Sequence, residues 1–194
     1  GVSITNGSVG LNLCNLDEIT SISDFMTIFE KQLAFGVDEY AFNFNAKNDS
    51  INQKFFAEPF LSCFCRDCIG RGLDINCGGS IYPSVHGAAL MGIGTVCDSL
   101  AAIEKLVFAD RVMTLSELRD AMNANFEGYG ELRQKLLDAP KYGNNDPFVD
   151  KYAVWFIDYL GSLFEKKKTR DGGGIYIAAA ANVSNIYAGR IINA

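Results

Sequence analysis

Four cysteines crowd one stretch of the chain: Cys63, Cys65, Cys68 and Cys77, spaced C-x-C-x2-C-x8-C. Thiolates this close together are the material of zinc or iron–sulfur ligation. The spacing matches no standard ligand set. If Phe60 to Ile69 forms a helix, Cys65 and Cys68 share a face at separation three while Cys63 points elsewhere, so convergence on one ion would require the helix to unwind. Buried free thiols are therefore the preferred reading, because Cys is among the most buried residue types. Elemental analysis of protein purified under reducing, anaerobic conditions is expected to find no stoichiometric metal.

His86 is the only histidine. It lies in Tyr82-Pro-Ser-Val-His-Gly87, a loop before an apolar run, and its imidazole could accept a proton, donate to a carboxylate or orient a hydroxyl. A histidine bonded only to backbone is the competing reading, and both stand. Asn182, Ser184 and Asn185 are polar groups set among alanines near the C-terminus, suited to a ligand or to backbone. Asp98 and Ser99 read as a helix cap. With one histidine and no nucleophile-elbow string, Ser-His-Asp or Cys-His catalysis is unsupported. Gly78-Gly79 and Gly172 to Gly174 fit neither a P-loop nor a dinucleotide fingerprint.

These residues need elements to hold them. A Ser cap at Ser21 or Ser23, Asp24 in the first turn, and Phe25, Phe29 and Leu33 at spacing four predict a first helix, with a polar stretch from Asn43 to Gln53 following it. Pro59 opens a short helix through PFLSCFCRDCIGRG, stopped at Gly70 and Gly72. ALMGIGTV reads as a buried strand that runs into a helix carrying Leu100, Ile103, Leu106 and Val107. Thr114-Leu-Ser-Glu117 is a capping box. Gly128 to Gly130 interrupt the helix it starts, ELRQKLLDA resumes it, and Pro140 ends it. Phe148, Val149, Tyr152, Phe156, Tyr159, Leu160 and Leu163 predict a long helix, Lys166 to Lys168 its basic end. Gly172 to Ala194 reads as strand and loop. Neither repeats nor a domain boundary is visible, and strand-into-helix succession is the unit of α/β barrels.

A hydrophobic content of 48%, 12% of it aromatic, over 194 residues is that of a globular chain. Only 17 Lys and Arg at net charge −6 argue against nucleic acid, whose binding needs phosphate neutralisation. No signal-peptide pattern opens the sequence and no apolar run is long enough to cross a bilayer, so a soluble cytoplasmic protein is expected. Six cysteines without a disulfide-framework spacing fit a reducing compartment.

The run GIGTVCDSLAAIEKLVFADRVMTLSELRDAMNANFEGYGELRQKLLDAPKYGNND, with PFLSCFCRDCIGRGLDINCGG before it, closely resembles the pyruvate formate-lyase domain of glycyl radical enzymes. The resemblance implies a partial α/β barrel, with residues 1–194 an internal part of a single barrel domain incomplete at both ends. It implies an anaerobic lyase in which a stored glycyl radical makes a thiyl radical that abstracts hydrogen from a small-molecule substrate. Its thiyl-forming Gly-Cys-x-Glu and radical-storing Arg-Val-x-Gly-Tyr strings do not occur here. No catalytic residue is therefore expected within the chain. Nor is a bound cofactor: the glycyl radical would sit elsewhere in the polypeptide, installed by a radical SAM activating enzyme. The implied substrate-contacting residues are Tyr82, Ser84, His86, Asn182 and Ser184. PSVHG and the TRDGGGIYIAAAANVSNIYAG ending are most similar to arylacetate-decarboxylase-like members, pointing to decarboxylation or another C–C cleavage. A non-catalytic scaffold, inactive on its own, is the alternative. Exposed barrel edges and apolar surface would favour self-association, hence a homo-oligomer.

Overall fold

A computed structural model describes residues 10–81, 85–170 and 172–179, the side chains of 47–54 excepted. Nine elements follow one another: α1 (Ile22–Phe55), α2 (Pro59–Ser62), α3 (Arg66–Arg71), β1 (His86–Leu90), α4 (Ile93–Ile103), α5 (Leu115–Asn123), α6 (Gly130–Asp138), α7 (Pro147–Glu165) and β2 (Ile175–Ala179). They divide into two compact units. The first comprises the described parts of Gly1–Gln32, Leu90–Tyr159 and Ala179–Ala194, the second those of Leu33–Ala89 and Leu160–Ala178.

In the first unit, α4 serves two clusters. Cys97, Leu100 and Ala101 meet Val149, Tyr152 and Ala153 of α7, with Phe25, Phe29 and Trp155 packed around them. Ala102 and the following Leu106 meet Met113, Leu118 and Ala139. Between the two faces the helix changes type: Glu104–Ala109 is π-helical, and Asp110 N donates to Lys105 O five residues back. Tyr152 Oη and Lys151 Nζ both donate to Glu104 Oε2, at 2.7 and 2.5 Å. Burial, the hydrogen bond to Glu104 and the charge of that carboxylate together hold the Tyr152 phenol far above its usual range.

The start of α5 follows the sequence reading. Thr114 Oγ1 accepts from Glu117 N at 3.1 Å, and Glu117 Oε2 accepts from Thr114 N at 2.7 Å. Those backbone and hydroxyl bonds lower the Glu117 pKa. Thr114→Ala is expected to cost about 1 kcal/mol, read as faster amide exchange confined to the first turn of α5.

Four expectations are corrected. First, α1 does not end before the polar stretch but runs unbroken for 34 residues. Asn43 Nδ2 bonds back to Glu39 O at 2.8 Å, and the stretch contains neither Pro nor Gly, so polarity alone does not break it. Its cap is Ser21, whose Oγ accepts from Asp24 N at 3.1 Å. Second, PFLSCFCRDCIGRG is two helices. Ser62 spends its hydroxyl on Glu58 O and Asp74 Oδ2, and Cys65 is extended (φ −104°, ψ 112°). Third, ALMGIGTV is not one strand: Gly92, at φ 82°, turns the chain, and helix α4 begins at Ile93. Asp98 and Ser99 are consequently interior to α4, where Asp98 Oδ1 accepts from Tyr142 N at 2.7 Å and Ser99 Oγ donates to Thr95 O. Fourth, Lys166 to Lys168 lie beyond the end of α7, and Lys167 Nζ pairs with Asp38 instead.

β1 is half-buried rather than buried, with Ala88 alone turned inward. His86 N donates to Gly174 O at 3.0 Å, and Gly87 lies beside Ala178, so both strands advance together and the pair is parallel.

Candidate functional site

His86 opens β1 as its first residue, held in the second unit by both backbone and ring. Its N–H is bonded to Gly174 O, which fixes the strand end. Its ring stacks on Phe44 with centroids 3.8 Å apart at 21°, and Nε2 lies 2.6 Å from Tyr40 Oη. Tyr40 and Phe44 sit one helical turn apart on α1 and are themselves parallel, so spacing four on a helix presents two rings to one imidazole. Phe164 of α7 meets the Tyr40 ring edge-on at 5.9 Å.

Burial lowers the His86 pKa and raises that of Tyr40. Both groups are thus neutral near pH 7. With Tyr40 donating to Nε2, the imidazole proton sits on Nδ1, which is left as the free donor. The linkage has a definite sign. The unfolded state takes up a proton near pH 6.5 that the folded state resists, so this contribution is present above that pH and lost as pH falls below it toward the folded pKa. Acidification from pH 7.5 to 5.5 should speed amide exchange in β1, and His86→Phe, which stacks but does not titrate, should flatten that dependence.

Around this pair the backbone is tied by Asn45 Nδ2 donating to Lys168 O at 2.9 Å. Asn45 Oδ1 is buried with no hydrogen-bond partner among the described residues, an unmet acceptor beside the strand ends.

The cysteine segment is organised by Asp74. Its carboxylate accepts from Glu58 N, Ser62 Oγ and Asn76 N at 2.8 to 2.9 Å, and the amide bonds together with Ser62 lower its pKa. Cys63 is exposed, Cys65 and Cys77 half-buried, and Cys68 buried; all are free thiols. No three Cys, His, Asp or Glu groups converge as metal ligands among the described residues.

The family model described as pyruvate formate lyase-like matches residues 2–189. The chain belongs to the pyruvate formate lyase-like family. Among its relatives, isethionate sulfite-lyase of Bilophila wadsworthia is 57% identical over 126 residues, covering 62% of this chain and 14% of that protein. Trans-4-hydroxy-L-proline dehydratase of Clostridioides difficile is 29% identical over 192 residues, covering 98% of this chain and 24% of its own length. A solved structure concerned with 1,2-propanediol dehydration in Roseburia inulinivorans superposes with a TM-score of 0.87 at 30% identity, covering 97% of this chain and 25% of that one. The chain spans about a quarter or less of the curated relatives it matches.

The relatives are glycyl radical enzymes, and the mixed α/β fold with its parallel strand pair is of their barrel class. Of the site residues expected in this family member, His86 is described, as a strand residue rather than a loop tip. Tyr82, Ser84, Asn182 and Ser184 lie outside the described residues. Tyr40 and Phe44 were not anticipated. Their only sequence signal is aromatic residues four apart on a helix, and nothing local links them to a histidine 46 positions away. No helix among the described residues is long and apolar enough to cross a membrane.

Proposed function

We propose that this chain forms part of the wall of an anaerobic, cytoplasmic glycyl radical lyase that eliminates a leaving group from a small polar substrate, with isethionate-like C–S cleavage as the leading reaction. The observation that carries this is the 57% identity to isethionate sulfite-lyase, about twice the 29% shared with the hydroxyproline dehydratase. It shifts the expectation away from arylacetate decarboxylation, which remains the second reading on the strength of the PSVHG and C-terminal strings. In such an enzyme a glycyl radical, stored on a residue outside this chain and installed by a radical SAM activating enzyme, supplies hydrogen abstraction. These residues bind and orient the substrate and exclude water. Within the proposal, His86 offers Nδ1–H while Tyr40 fixes its ring, and Tyr82, Ser84, Asn182 and Ser184 contribute further polar contacts. Self-association of the polypeptide belongs to the same proposal.

The test uses the polypeptide that contains these residues, purified anaerobically and activated. Sulfite release from isethionate is expected to exceed product formation from trans-4-hydroxyproline or an arylacetate. A radical signal in electron paramagnetic resonance without turnover of any of these would favour the scaffold reading. His86→Ala should lower kcat/KM about tenfold or more, the scale of a lost substrate hydrogen bond, while leaving the radical signal intact. Unchanged turnover would return His86 to a purely structural role.

A further inference from the structure

Cys65 and Cys68 stand apart from the site described above. Cys65 is the residue at which the chain, having left α2, turns into α3, and its carbonyl accepts the first helical bond, from Ile69 N at 3.1 Å. Cys68 lies three positions further on. That register brings the two side chains onto one face, at a separation within the range a disulfide spans. The thiols are hydrogen-bonded to each other. Their exposure is unequal: Cys65 is half-buried and Cys68 only 3% exposed. The turn above Cys68 explains the difference, since Gly79 closes over it so tightly that a Cβ there would fall 2.8 Å from its Sγ.

We propose that Cys65 and Cys68 form a reversible redox pair, a modification site that exchanges with low-molecular-weight disulfides. In the first step the Cys65 thiolate attacks one sulfur of the disulfide RSSR. The S–S bond breaks, one RS⁻ leaves, and Cys65–S–S–R forms. In the second, the Cys68 thiol gives up its proton and attacks the Cys65 sulfur, expelling the second RS⁻. Two protein thiols are oxidised to one disulfide, RSSR is reduced to two RSH, and the two protons released by the cysteines end on the RS⁻ groups. No external oxidant beyond RSSR is required, so the exchange runs without oxygen. The order of events follows from the geometry. Cys65 is the sulfur that solvent reaches, whereas burial and the neighbouring Cys65 hold the Cys68 thiol protonated until an adjacent sulfur has been activated. A four-residue link at the start of a helix leaves the backbone in place, and its reversibility is that of an accessible rather than a structural disulfide.

The experiment uses the full polypeptide carrying this segment, without radical activation, equilibrated anaerobically with oxidised and reduced glutathione. Free thiols are then alkylated, the disulfides reduced, and the newly freed thiols alkylated with a second label before peptide mass spectrometry. The expected result is that Cys65 and Cys68 carry the second label together, in proportion to the oxidised glutathione. Cys97, buried in the first unit's core, should carry only the first label or none. In Cys68→Ser the mixed Cys65–glutathione disulfide should accumulate, and in Cys65→Ser position 68 should stay reduced. Independent labelling of the two positions, a link through Cys63, or no second label at Cys65 at any ratio would overturn the proposal. Because the wild-type measurement decides it, a variant that fails to fold does not.

Discussion

Leu100→Ala should lower the stability of the first unit by about 2–5 kcal/mol. Leu100 is 3% exposed and stands between Cys97 and Ala101 against Val149, Tyr152 and Ala153. Those neighbours are small or already committed. Tyr152 is fixed through its hydroxyl to Glu104, and Val149 sits in the first turns of α7, so little can move in to fill the space. The cost therefore includes both the lost transfer of the side chain and the cavity left behind. Amide exchange in the polypeptide containing these residues should show lost protection through α4 and α7 together. Leu100→Met, which conserves volume, should cost under about 1.5 kcal/mol. Exchange in α7 that stayed at its original rate in the Ala variant would mean that the two helices do not share a core.

Gly79→Ala should be nearly as damaging, at about 3 kcal/mol, the upper end of the usual cost of overpacking. Its backbone conformation is one that alanine adopts freely; the obstacle is space. An added Cβ would fall against the carbonyl oxygens of Leu73 and Asp74 as well as Cys68 Sγ. Two of these three obstructions are main chain, and the loop that holds them is fastened by the Asp74 bonds to Glu58, Ser62 and Asn76. The small entropic gain of replacing a glycine, about 0.4–1 kcal/mol, does not offset this. Because Gly79 roofs Cys68, the variant should also make Cys68 alkylate faster, while Cys97, in the other unit, keeps its rate. Equal protection of Cys68 in variant and parent would contradict the close contact.

What the sequence disclosed, it disclosed through local rules. The Thr114–Glu117 box and the α7 stripe were legible because each is decided within a few residues by caps and spacing. The extent of α1 was not, since its polar second half has no apolar periodicity to follow, yet contains no residue that forces the chain out of a helix. Gly92 was misread for a related reason: within ALMGIGTV its neighbours are all apolar, so hydropathy is blind to the left-handed turn that separates β1 from α4. Asp98 shows the opposite failure. A residue suited to a cap was assigned one, whereas its carboxylate is used 44 positions away at Tyr142. At the candidate site, His86 was conspicuous as a type, but its partners Tyr40 and Phe44 are a matter of tertiary placement.

The π-helical turn after α4 holds one residue more than an α-helix of the same rise would need. A single deletion anywhere from 104 to 109 would let the hydrogen bonds close again in the ordinary pattern, at small local cost. It would also rotate everything downstream by about 100° about the helix axis, the angle one residue subtends. Leu106 would then swing away from Met113 and Leu118, and the two clusters served by α4 would fall out of phase. The extra residue thus acts as an offset in a gear train, and when relatives are aligned, gaps of one residue at this turn should be compensated before Thr114.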